Sequence, residues 1–219
     1  MDLFRGIRDL LQIVQDAVQS HLSEDSSDGE EDNPLLYYYA LARALRRGDA
    51  NSHRPGLPTE LVITIFDYLE VKNSIVEKTS APFSVYDGNH VAIAVDTKRL
   101  LPSIGRLHLQ LATKSHDQGW VSDPNAGNWT WFDIFIWKAK HSHQGPKSYE
   151  WISHYNELAS STTTELQGPV FDPSHPLWTH LETGDYITAR ANACYPGWRN
   201  HVEEMKLEIW EPFDPTRFG

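Results

Sequence analysis

The chain has 219 residues, enough for one substantial domain with appendages, and its 40% hydrophobic and 22% charged residues are ordinary for a globular protein. Its net charge of −11 is concentrated at the start: residues 1–34 hold nine acids and two bases, which leaves the remainder at −4 with no stripe of Lys and Arg, a poor surface for nucleic acid. A single cysteine, Cys194, excludes an internal disulfide framework, and the absence of a leader-like segment or membrane-length apolar run predicts a cytoplasmic or nuclear protein with no membrane partner.

Residues 2–22 read as an amphipathic helix, with Leu3, Ile7, Leu10, Leu11, Val14 and Val18 recurring at three- and four-residue steps. The run SEDSSDGEEDN that follows has no apolar side chain to bury, so residues 23–34 are predicted to be an acidic flexible linker. Pro34 opens a second helix, LLYYYALARALRRG, with Arg46 and Arg47 in its last turn and Gly48 as its stop. A third runs over residues 58–70, where Pro58 suits a first turn and Leu61, Ile65 and Leu69 form an apolar face. Residues 35–81 are therefore predicted to be a helical segment.

From Pro82 the periodicity changes. HVAIAVD (90–96), RLHLQLAT (106–113), WTWFDIFIW (129–137), DYITARANA (185–193) and MKLEIWE (205–211) alternate or run apolar and are rich in β-branched and aromatic residues. Gly, Pro, Asn and Asp punctuate them, as in DQGWVSDPNAGN and YPGWRN. Residues 148–167 fit either a strand or a short helix. The predicted fold is mainly β: an antiparallel β-sandwich over residues 82–219, of jelly-roll or galactose-binding-like type, preceded by two or three helices.

Two segments carry a resemblance to known families. Leu57-Pro58-Thr59-Glu60-Leu61-Val62-Ile63-Thr64-Ile65-Phe66-Asp67-Tyr68-Leu69 resembles the first helix of an F-box, although the following VKNSIVEKTSAPFSV lacks the Asp-Leu and later Cys-Arg-x-x-Trp of a complete one. The second comprises Thr113-Lys114-Ser115-His116-Asp117-Gln118-Gly119-Trp120, Trp129-Thr130-Trp131-Phe132-Asp133, the stretch from Trp178 to Asp185, and Ala193-Cys194-Tyr195-Pro196-Gly197-Trp198-Arg199-Asn200. It is similar to uncharacterised fungal proteins with an F-box-like start. Its order of strands and Gly-Trp loops is also similar in architecture to the sandwiches of sugar-recognising F-box proteins and phloem lectins. The first resemblance implies a ubiquitin-ligase adaptor as partner, contacted by Leu57, Pro58, Leu61, Ile65 and Leu69. The second implies a protein or glycoprotein ligand.

The chemistry-bearing residues gather in two places. In the SHDQGW loop, His116, Asp117 and Gln118 could bond a polar ligand beside the stacking face of Trp120. In the PGW turn, Trp198, Arg199 and Asn200 offer a second indole with polar neighbours. The structural alternative makes Asp117 and His116 partners of backbone groups in a tight loop, lets Gly119 supply an unusual φ and packs both tryptophans. His141-x-His143 supplies two ligands where a structural zinc needs four, so no metal or other cofactor is expected. Ser115-His116-Asp117 cannot be a triad on one strand, because adjacent side chains point to opposite faces, and no nucleophile elbow, phosphate loop or HExxH motif occurs. The expected function is non-catalytic: F-box-like substrate recognition through a Trp-rich sandwich. The alternatives are a stand-alone carbohydrate-binding lectin-like domain and a sugar hydrolase.

Overall fold

A computed structural model describes residues 34–48, 55–100, 104–123, 125, 127–138 and 149–217. The helix expected over residues 2–22, the acidic run 23–33 and the His141–His143 pair lie outside the described residues. No described helix is long and apolar enough to cross a membrane. The chain divides into two compact units, residues 1–73 with 212–219, and residues 74–211.

The first unit contains helices α1 (Pro34–Arg47) and α2 (Thr59–Tyr68). As expected, α1 closes on Arg46 and Arg47, and Gly48 at φ 69° bonds back to the Ala44 carbonyl. The core is small and aromatic: Ala42, Val62, Phe66 and Phe213 are buried, with Tyr38, Tyr39, Leu41 and Leu45 packed around them. The Phe213 ring centroid lies 4.8 Å from that of Phe66 and 4.6 Å from that of Tyr39. The buried face of α2 is thus Val62, Ile65 and Phe66, not the expected row of Leu61, Ile65 and Leu69. TELVITIFDY is apolar on several sides, so the partner decides which side is buried, and Phe213 is the partner.

The second unit is a β-sandwich. One sheet runs β1-β9-β4-β7, with β2 also beside β9; the other runs β3-β8-β5-β6. The strands are β1 (Lys72–Lys78), β2 (Phe83–Tyr86), β3 (Gly88–Asp96), β4 (His108–His116), β5 (Thr130–Trp137), β6 (Tyr149–Tyr155), β7 (Thr164–Gln167), β8 (Tyr186–Ala193) and β9 (Arg199–Pro212). With β1 and β2 counted as two pieces of one strand, the orders become 1-8-3-6 and 2-7-4-5, which is jelly-roll connectivity. Inward-facing Leu109 and Leu111 of β4, Phe132, Ile134 and Ile136 of β5, Ile187 of β8, and Met205, Leu207 and Ile209 of β9 fill the core, each 1% exposed or less.

Three sequence expectations change. Strands begin at Lys72, ten residues before Pro82, because KNSIVEK is a mostly exposed strand with no apolar alternation to announce it. The open stretch 148–167 holds two strands, β6 and β7, and no helix. Arg199 and Asn200 belong to β9 rather than to a turn: Asn200 faces inward like Val202 and Met205, and its polarity hid the alternation.

Candidate functional site

The end of β4, the loop after it, the turn into β9 and strand β2 meet at one end of the sandwich. Register sets the first contacts: His116 pairs with His201, Ser84 with His201, and Tyr86 with Arg199. The His116 and His201 rings stack at 4.7 Å, the Ser84 hydroxyl lies 2.8 Å from His201 Nδ1, and the Arg199 guanidinium sits 5.0 Å from the Tyr86 ring centroid. Burial pushes the His201 pKa down, and the charges of His116 and Arg199 push the same way; Asp117 opposes them.

The SHDQGW loop is held by Asp117, which is fully buried. Its Oδ1 accepts from the Gly119 N–H at 2.7 Å and its Oδ2 from the Ala159 N–H at 2.6 Å. Gly119 has φ +84°, and an added Cβ would come 2.8 Å from Ser161 Cβ, so a side chain there would need both strain and displacement. Gln118 ties the loop to the turn: its Nε2 donates to the Trp120 carbonyl at 2.6 Å and its Oε1 accepts from the Arg199 N–H at 3.3 Å. Trp120 reaches over the turn, about 4 Å from where a Cβ of Gly197 would stand. Tyr195 holds φ 75°, an uncommon conformation for an aromatic residue, with its ring edge-on to Trp129 at 4.8 Å. The outcome is a rim of exposed rings: Trp120 at 59%, Tyr86 at 56% and Tyr195 at 51%.

Of the sequence-nominated residues, His116, Gln118, Trp120 and Arg199 come together on this rim, and Trp198 is half-buried beside it. Asp117 and Asn200 do not face it. Asp117 is used up by the two backbone donors, and Asn200 is fully buried in a polar chain beneath. In that chain Ser115 Oγ donates to Asn156 Oδ1 at 2.7 Å, Asn156 Nδ2 to Asn200 Oδ1 at 3.0 Å, and Asn200 Nδ2 to the Asn192 carbonyl at 3.1 Å. Ser115 also meets Thr113, whose hydroxyl lies 2.9 Å from His154 Nε2; burial lowers the His154 pKa to about 4 and keeps it neutral. Sequence reasoning missed Tyr86, His201 and Tyr195. Tyr86 had a usable signal, an aromatic directly before an Asp-Gly turn, and Tyr195 stood directly before the Pro-Gly pair.

Asn128, in the sequence Asn-Trp-Thr, is half-buried, and its amide is occupied: Nδ2 donates to the Asn156 carbonyl and Oδ1 accepts from Thr130. A second polar cluster lies on the outer face of the four-stranded sheet. Arg190 grips Asp133 through Nε at 2.7 Å and Nη2 at 2.8 Å, reaches Glu150, and covers the Phe135 ring, while Asn192 donates to Asp133. Among the described residues no group of His, Cys, Asp and Glu is arranged to hold a metal.

On α2, Leu61 is 45% exposed and Pro58 is exposed, whereas Ile65 is buried and Leu57 and Leu69 are half-buried. Ile63 and Tyr68 complete the exposed side of the helix.

No family model and no curated protein matches the chain. Among solved structures, it is similar to the VP2 subviral particle of infectious bursal disease virus at 10% identity and a TM-score of 0.33, over 65% of this chain and 38% of that one. A structure of the Gt strain of the same virus matches at 8% identity and a TM-score of 0.32, over the same shares. The match therefore spans well under half of those longer chains.

Proposed function

We propose that the protein is a non-catalytic binding module whose jelly-roll end holds a carbohydrate-bearing ligand. One observation carries this: exposed Tyr86 and Trp120 flank Gln118 and Arg199, and exposed Tyr195 stands in the turn that Trp120 reaches over. Sugar rings offer apolar faces and a fringe of hydroxyls, and a site with a few polar groups beside an aromatic platform suits both. The test is glycan-array binding by the full chain beside its Trp120→Ala variant. Selective glycan binding that the variant loses supports the reading; an array on which the wild type binds nothing sinks it.

A second reading, F-box-like recruitment of a ubiquitin-ligase adaptor, is favoured by the exposed side of α2. Pro58 and Leu61 are available to a partner, but Ile65 is already buried. Leu61→Asp should fold with near-native stability and lose adaptor in a pull-down from cells; a wild-type pull-down without adaptor removes this reading.

A further inference from the structure

The charges at the jelly-roll end are unevenly matched. Arg199 is exposed, its guanidinium rests on the Tyr86 ring, and among the described residues no carboxylate lies within ion-pair distance of it. Asp117 points both oxygens at backbone N–H groups. Glu203, on the same strand, accepts from the Thr163 hydroxyl instead. Two stacked histidines add donors and no negative charge. Among the described residues Arg199 is therefore a permanent cation at this end with no ion-pair partner.

From this we infer that the end selects an acidic saccharide, with a uronic-acid-type carboxylate seated on Arg199 and the sugar ring against Trp120. The inference rests on the carbohydrate reading above and adds its charge. A planar guanidinium matches a carboxylate through two parallel hydrogen bonds, and its stacking on Tyr86 limits the freedom lost on binding. Nucleic acid is the weaker occupant, because a phosphate chain needs several cations in a row and, of the rim residues Tyr86, His116, Gln118, Trp120, Tyr195 and Arg199, only Arg199 is a permanent cation. The groups that face His201 are Tyr86 of β2, His116 and Asp117 at the end of β4, and Arg199 on its own strand. Burial is the main cause that holds His201 down, and the charges of His116 and Arg199 add to it; an added carboxylate offsets the charge part, so acid binding strengthens as the pH falls.

The probe pair is tetragalacturonate and its full methyl ester, which share rings and linkages and differ in charge. Both are titrated into the full chain by tryptophan fluorescence at pH 7.5 and 5.5. The free acid should bind about tenfold more tightly than the ester. Its advantage should widen at pH 5.5 and disappear in Arg199→Gln, while Trp120→Ala weakens both ligands. Equal binding of acid and ester overturns the inference and leaves the carbohydrate reading standing. Binding of neither overturns it too, and the glycan array then decides the broader reading separately. Displacement of the acid by an equal concentration of inorganic phosphate would make the end a general anion cradle, which also overturns it.

Discussion

Two populations of side chains share the loop end of the jelly roll. In the framework, His154, Asn156, Asn200, Asp117 and Ser115 each have specified hydrogen-bond partners, and Asp117, Ser115 and Asn200 have no exposed surface. On the rim, Tyr86, Trp120, Tyr195 and Arg199 are exposed, and Arg199 rests on the Tyr86 ring. The difference teaches how to divide stability from recognition here. A polar group whose bonds are all made inside the protein holds shape, and leaving its partner unpaired is costly. A large ring or a cation left exposed to water is available to a ligand.

The largest effects should come from the partnered side. Asp133→Ala leaves the Arg190 charge on a side chain only 12% exposed, with Glu150 as its remaining acid, and should cost about 3–5 kcal/mol in urea denaturation. A loss below about 1 kcal/mol would break the division, because it would make this ion pair dispensable and free for a ligand. On the same strand, Phe132→Ala should cost about 3–5 kcal/mol and Trp131→Ala clearly less, since Phe132 is fully buried and Trp131 faces the other way. Equal costs would mean that both faces of β5 are covered.

Acid tests the framework next. Burial holds the His154 pKa at about 4, below its ordinary 6.5, so the unfolded chain takes up the proton first as pH falls. Its contribution is complete above the ordinary value and is lost progressively down to about pH 4, by about 3 kcal/mol in all. Stability measured from pH 7 to 4 should fall more steeply in the wild type than in His154→Gln. Parallel curves would show that His154 is not held neutral.

Smaller losses should follow at the loop. Asp117→Asn keeps one acceptor for its two backbone donors and should cost about 1–2 kcal/mol, read as a shift in denaturation midpoint. Smallest of all, Trp120→Ala and Arg199→Gln should stay within about 0.5 kcal/mol of wild type in stability. A substantial loss in either would move that residue from the rim to the framework.

Much of this fold could be read from the sequence, for identifiable reasons. β3, β4, β5 and β8 announce themselves by apolar alternation, and the SHDQGW loop by its glycine and polar run. β1 and β2 do not, since KNSIVEK is charged and FSVY is only four residues long. The site was half legible. Glycine and tryptophan placed its loops, but the residue that takes Asp117 out of play is Ala159, 42 positions away, and Arg190 meets Asp133 across 57. No local pattern carries such pairings. The helix teaches the same point: Leu61 and Phe66 are equally apolar in TELVITIFDY, and the rings of Tyr38 and the distant Phe213 determine that Phe66 goes inside.

Phe213 also has a consequence for synthesis. The two helices leave the ribosome early, yet the ring that completes their core is added about 150 residues later, after every strand of the sandwich, so a gap of about 7–30 s separates them at ordinary translation rates. Until then the rings of Phe66 and Tyr38, which meet each other at 6.1 Å, lack the Phe213 ring against which both also pack. The helices are therefore made before the sandwich but close after it, and a chain that stopped just before Phe213 would carry a folded jelly roll with unfinished helices.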